Sequence, residues 1–347
     1  MRIVVAGAGA IGASVAYHLA LAGARNVVLA DRGEVAGGST ARAMGGVRQQ
    51  FSSVPEVLLA QASIRFFEEL GPPFFEQVGY LFLATTEPGA EELAARMSLQ
   101  RALGVPVERA EVPEGVFGGD VLAAVACWSD GVAEPAATAR ELVRRAVEVG
   151  VEVRPNTRAD QVEGDAVVIA CGPWSGEAAA GYGVQLPIRP LSRQLIETDP
   201  VPGLPARLPM VVEAESGFHF RRRADRLVLA MADAVPRWGF EATVDESVLD
   251  DRLERLAHRY PATRGTRVAG SWAGLYDMTP DAHPIIGEVA PGVFTACGFS
   301  GHGFMQSPAV GKALAEEILG LEPTFDLSPY RLARFGDGAT VSETVVL

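Results

Sequence analysis

The sequence predicts an α/β protein in which a doubly wound, largely parallel sheet is interrupted by a second, mainly β-sheet domain. Three observations carry this expectation. A strand, a glycine-rich turn, a helix, a second strand and an acid follow one another within residues 2–31. Another apolar strand, 166–170, runs into a Gly-Pro turn far downstream. Between these segments and a last strand–turn–helix pattern lie two blocks richer in β-type residues.

In the first unit, Arg2-Ile3-Val4-Val5-Ala6 reads as a short buried strand and Ala13 to Ala22 as an Ala-rich helix. Val27-Val28-Leu29-Ala30 is the second strand and ends in Asp31. The turn is Gly7-Ala8-Gly9-Ala10-Ile11-Gly12. This order is the Rossmann-like dinucleotide fingerprint. Gly7 permits the tight turn, Gly9 lets backbone approach a pyrophosphate, and Gly12 lets the helix pack on the strand. The helix start at Ala10 and Ile11 offers N–H groups and partial positive charge to phosphates. Asp31 can accept from ribose hydroxyls, which disfavours NADP. The motif leaves FAD and NAD open. Its bland alternative is a βα turn with no ligand.

The chain of 347 residues is long enough for about two domains at ~150 residues each. A net charge of −13 argues against nucleic acid or an anionic membrane as the main partner. The apolar run Ile3 to Ala24 is broken by glycines into strand and helix, so no transmembrane segment is expected. With no secretion signal recognised, the expected location is cytoplasmic. Cys127, Cys171 and Cys297 are scattered and read as buried thiols, with no metal site. Lys312 is the only lysine.

Helix patterns run at about 55–70, 87–103, 135–149, 246–258 and 308–320. Strand patterns include 79–83, 151–153, 166–170, 218–220, 227–229 and 293–296. The expected nucleotide domain is therefore discontinuous, 1–78, 134–185 and 280–347. The expected second domain comprises 79–133 and 186–279, with the active site in the cleft between them. His219 alternates with Phe218 and Phe220, so it faces away from them, either to solvent or to the cleft.

Four further segments resemble the D-amino-acid oxidase/sarcosine oxidase superfamily of FAD-dependent amine oxidoreductases. They are Gly45-Gly46-Val47-Arg48-Gln49-Gln50-Phe51, Ala170-Cys171-Gly172-Pro173-Trp174, the stretch Trp272 to Asp281, and Gly298 to Met305. Within it the chain is most similar to sarcosine dehydrogenase-like proteins and to the β subunit of dye-linked L-proline dehydrogenase. The resemblance implies a Rossmann-like FAD-binding domain with an inserted, mainly β-sheet substrate domain. It also implies FAD contacts beyond the fingerprint. These are Arg32, Ser39, Thr40, Arg42, Gly45 and Gly46; Ala170, Gly172 and Trp174; and Gly298, Gly301, His302, Gly303, Phe304 and Met305. Arg48, His219, Tyr276 and His302 are the implied catalytic residues, with Arg48 near the flavin and a substrate carboxylate.

Three departures sharpen the expectation. Gly274 stands where covalent-flavin members carry Cys, so FAD is expected to be non-covalent. Thr279 and Met305 stand where other members carry a carboxylate-binding Arg or Lys, which leaves half of any clamp unidentified. The stretch between the strand at 151–154 and Val167 is also shorter than usual, at the adenine side. The expected reaction is oxidation of the C–N bond of a secondary or N-alkyl amino acid, proline- or sarcosine-like, by hydride transfer to flavin N5, as a dehydrogenase more than an oxidase. The alternatives are an NAD-dependent oxidoreductase and a flavin-binding assembly or scaffold subunit. The expected partner is a small amine or amino acid; a homo-oligomer or a partner electron-transfer subunit stays open.

Overall fold

A computed structural model describes residues 1–112, 116–337 and 342–347. The parts of the expected domain ranges at 113–115 and 338–341 lie outside the described residues. The strands fall into two main sheets and one small one. The first sheet runs Ile285–Ala290, Val293–Cys297, Ala166–Ile169, Arg2–Ala6, Asn26–Ala30 and Glu152–Arg154 across its width. All its pairings are parallel except Ile285–Ala290 with Val293–Cys297. Strand order reverses beside Arg2–Ala6, which opens a crevice at the carboxyl ends of Arg2–Ala6 and Ala166–Ile169.

Apolar residues on one face of this sheet, among them Ile3, Val5, Leu29 and Val168, are covered by three helices. These are Ala10–Leu21, Pro135–Glu148 and Gly303–Ile318. Small side chains set their spacing: a Cβ on Gly311 would lie 2.2 Å from Ser14 Oγ. The helix Gly303–Ile318 starts five residues earlier than the pattern at about 308–320 suggests. Pro308 lies inside it. The ring cannot donate to the carbonyl of Phe304, and the Ser307 hydroxyl donates there instead, at 2.9 Å. On the opposite face, 155–165 contributes only the 3₁₀ turn Ala159–Gln161, with Val162 packed on Val4, Val28 and Ala30.

The second sheet has eight strands. In order they are Val268–Met278, Arg189–Thr198, Arg226–Ala230, His219–Arg223, Met210–Glu213, Tyr80–Ala84, Ala123–Cys127 and Val107–Arg109. Its neighbours are antiparallel except Met210–Glu213 with Tyr80–Ala84. Phe218, Phe220, Leu227 and Leu229 pack with Leu256 of the helix Leu249–Arg259. Arg259 Nε donates to Glu213 Oε1 at 2.6 Å and pins that helix to the sheet. The opposite face looks toward the crevice of the first sheet. The two longest strands, Arg189–Thr198 and Val268–Met278, do not stand out in the sequence. Gly270 and Gly274 break the alternation in one; Pro190, Ser192, Arg193 and Gln194 blur it in the other.

Candidate active site

A cavity of about 1180 Å³ joins the crevice of the first sheet to the face of the second. Of the residues expected in the site, all but Gly12 and Gly298 line it. Those two are fold requirements: a Cβ on Gly12 would sit 1.7 Å from Gly7 O, and one on Gly298 2.4 Å from Thr279 Cγ2. Gly7, at φ +103°, faces the same limit, with Ala170 O 2.4 Å from a Cβ.

Gly9 differs. Its backbone is in the extended region, and a Cβ there would meet only Thr40 Oγ1, at 3.1 Å. Protein atoms alone therefore leave room at Gly9, as a cradle for pyrophosphate requires. Ala10 N donates to Thr40 Oγ1 at 3.1 Å. The helix Ala10–Leu21 has no side-chain cap at Gly9 and no acid in its first turn, so its positive end is left for an anion. Asp31 lines the cavity and also braces the turn, accepting from Ala8 N at 2.7 Å and Gly33 N at 2.8 Å. Arg32 lies 4.6 Å from the Trp174 ring centre, and Phe240 stacks on Trp174. The cavity exceeds the ~300–1000 Å³ of usual small-ligand sites and has room for a dinucleotide with a small substrate. These residues fit FAD.

The 3₁₀ turn Ser39–Arg42 connects the two sheets. Ser39 Oγ donates to Leu275 O at 2.7 Å, and Trp272 Nε1 to Arg42 O at 3.2 Å. Gly274 faces this turn, with Arg42 Cβ 3.0 Å from where its Cβ would be. Gly46 makes space for the Tyr80 hydroxyl and Met210 sulfur, 2.6 and 2.9 Å from its ideal Cβ.

Arg48 is buried and held on several sides. Its terminal nitrogens donate to Gln50 O and, at 2.6 Å, to Val345 O; its Cζ lies 4.0 Å from the Phe51 ring centre. The loop carrying it is anchored by buried Asp130. That carboxylate accepts from Gln49 N, from the Gln49 amide at 2.9 Å and from the Gln50 amide at 3.3 Å. Burial pushes the Asp130 carboxyl up to about 6.

His219 faces the cleft, as expected. Its Nδ1 hydrogen-bonds Gly217 O at 2.7 Å. Burial pulls its pKa down to about 4, with the cations Arg48 and Arg193 adding to the effect. The ring is therefore neutral at pH 7, with Nδ1 as donor and Nε2 as a free acceptor. His302 is also held neutral by burial and by Arg48 beside it. Its Nε2 is 3.1 Å from Val345 O and donates there. Met305, Phe304 and Gly303 open the helix Gly303–Ile318, which has neither a side-chain cap nor an acid in its first turn. Gly301, at φ +96°, lies against Tyr276: a Cβ would come within 2.5 Å of that ring.

Two contributors escape sequence reasoning. One is the segment 342–347. Glu343 accepts from the backbone of Ser52 and Ser53, each at 3.1 Å, and so caps the helix Val54–Leu70. Val345 O receives Arg48 and His302, and the Tyr276 hydroxyl donates to Leu347 O at 2.8 Å. No local pattern marks these residues. The other is Arg193, in a strand whose alternation is blurred. Lys312 does not line the cavity; it is half-exposed on the helix Gly303–Ile318, 3.9 Å from Glu316. Among the described residues no His, Cys, Asp and Glu cluster is arranged for a metal, and no helix is long and apolar enough to cross a membrane.

Comparison with known proteins agrees with this geometry. FAD-dependent oxidoreductase domain-containing protein 1 of Bos taurus is 30% identical, over 99% of this chain and 87% of that protein. Mitochondrial sarcosine dehydrogenase of Mus musculus is 26% identical over 98% of this chain, which spans 42% of that relative. The crystal structure of L-proline dehydrogenase from P. horikoshii superposes with a TM-score of 0.89 at 26% identity, covering 97% of this chain and 98% of that one. Residues 2–317 match the FAD dependent oxidoreductase family as a whole. That match resolves the choice of dinucleotide the fingerprint left open, and the chain belongs to the FAD dependent oxidoreductases.

Proposed function

We propose that this protein oxidises the C–N bond of a secondary or N-alkyl amino acid, proline- or sarcosine-like, as a dehydrogenase with non-covalent FAD. One observation carries the reading: a single cavity runs from the fingerprint to a face of the second sheet that presents neutral His219, Tyr276 and cationic side chains. The likeness to sarcosine and L-proline dehydrogenases supports the substrate class. Held by the fingerprint turn and the residues lining the cavity, FAD would supply the acceptor for a hydride from the carbon beside the amine nitrogen. The chain's own groups bind, orient and exclude water. Neutral His219 offers an acceptor to an amine N–H. The uncapped start of the helix Gly303–Ile318 supplies partial positive charge to the cavity. The reaction needs no dedicated base.

The dehydrogenase assignment rests on Lys312. The one lysine lies outside the cavity, so no ammonium stands there to stabilise superoxide. We also place the FAD-binding domain at 1–78, 134–185 and 280–347 and the substrate domain at 79–133 and 186–279. Every strand of the six-stranded sheet falls in the first set and every strand of the eight-stranded sheet in the second. The small sheet Gly46–Val47, Gly131–Ala133, Phe75–Glu76 joins them. The test is anaerobic reduction of the holoenzyme by proline, sarcosine, dimethylglycine, glycine and D-amino acids. Bleaching by the secondary amines is expected; a flavin that none of them reduces overturns the proposal and favours a scaffold role.

A further inference from the structure

One cationic side chain of the cavity wall stands apart from the others in what it touches. Four arginines have a buried nitrogen with no hydrogen-bond partner: Arg48, Arg193, Arg221 and Arg237. Three of them are held through their other nitrogens. Arg48 donates to Val345 O, Arg221 to Glu134 at 2.6 Å and Arg237 to Asp233 at 3.0 Å. Among the described residues, the Arg193 side chain has neither a hydrogen bond nor an ion pair. Its Cζ lies over an aromatic face, 5.5 Å from the Tyr276 ring centre.

Register explains the placement. Arg193 pairs with Gly274, which has no side chain to cover it, and Leu191 pairs with Tyr276. Strand alternation then puts Arg193 and Tyr276 on one face. Leu195, two residues along, pairs with Ala230, and Ala230 with His219. All of these except Leu191 line the cavity. The result is a half-buried guanidinium, its Nε buried and unpartnered, on an apolar and aromatic wall. A buried, unpartnered N–H is costly, and buried polar groups are as a rule satisfied. Asp277 lines the cavity too, but its carboxylate accepts from Gly298 N at 2.7 Å. The cofactor's pyrophosphate would be held at Gly9 and the uncapped start of the helix Ala10–Leu21, beside the other sheet.

We propose that Arg193 is the anchor for the substrate's carboxylate, and that Arg48, tied to Val345 O and Gln50 O, chiefly holds the wall of the site. This rests on the amino-acid reading above and narrows it to substrates that carry a free carboxylate. Arg193 supplies a planar fork to that carboxylate.

The test uses holoenzyme of wild type, Arg193→Gln and Arg193→Lys. Each is titrated with acetate, propionate and tetrahydro-2-furoate, which carry the carboxylate but no amine to oxidise, and the perturbed flavin absorbance gives Kd. Arg193→Gln should weaken binding about 10- to 100-fold, with partial recovery in Arg193→Lys and unchanged FAD content. The same loss should appear in KM for proline but not for pyrrolidine, which lacks the carboxylate. Equal Kd values, or a wild type blind to all three carboxylates, overturn the proposal. So does a ligand-free variant spectrum that shifts or a variant that loses FAD, since Arg193 would then serve the cofactor. If the carboxylates bind through Arg193 but no amino acid reduces the flavin, the amine-oxidation reading fails and the anchor stands.

Discussion

Gly9→Val separates cofactor binding from folding more cleanly than any other change in the fingerprint. Gly7 and Gly12 cannot discriminate, because a Cβ at either would collide with backbone at 2.4 or 1.7 Å and damage the fold itself. Gly9 has φ −78° and ψ −171°, open to any residue, and its nearest obstacle is Thr40 Oγ1 at 3.1 Å. That hydroxyl must shift by a few tenths of an ångström and can lose its bond from Ala10 N. A neutral hydrogen bond contributes about 1 kcal/mol, so the apo-protein should melt only a few degrees lower. The added methyls, however, stand where the pyrophosphate approaches the backbone. Losing two charge-assisted bonds at about 1.5–3 kcal/mol each weakens FAD binding by at least 100-fold. The assay is flavin content after desalting, with affinity from flavin fluorescence and apo stability from a thermal melt. Stoichiometric FAD at unchanged affinity would falsify the assignment of the fingerprint. A collapsed melting curve would show that Gly9, too, is there for the fold.

Three other outcomes follow from the site. Acid precipitation should leave yellow flavin in the supernatant, because Gly274 has no sulfur to hold it; colour in the pellet would refute non-covalent binding. His219 should make the protein acid-labile. The unfolded chain takes up its proton near 6.5 and the folded one only near 4, so stability is intact above pH 6.5 and falls as pH drops toward 4, by about 3 kcal/mol in full. His219→Asn should therefore narrow its stability deficit against wild type over that range; parallel curves would mean that the ring is not held neutral. Arg48→Ala should cost about 3 kcal/mol of stability, by removing its bonds to Gln50 O and Val345 O, the latter left with His302 alone, and opening a void beside Phe51. An unchanged melting midpoint would show that Arg48 is not a structural tie.

Much of the nucleotide end is legible in the linear chain, since its determinants are local. Gly7, Gly9, Gly12 and Asp31 fall within one βαβ unit, and the backbone angles and helix end they need are set by neighbours a few residues away. The alternation around His219 likewise assigns its face before any partner is known, because a strand repeats every two residues. The start of the helix Gly303–Ile318 was less legible: the pattern points to about 308, and only the Ser307 hydroxyl shows how the helix runs through Pro308. What each cavity cation touches was not legible at all. Arg48 meets Val345 across 297 residues of sequence, and Tyr276 meets Leu347 across 71. Arg193 is open because register sets it opposite Gly274. Composition and periodicity select strands and helices and the faces they bury. Which buried charge is tied and which is left for a ligand depends on sheet register and long-range packing, and the folded chain alone decides that.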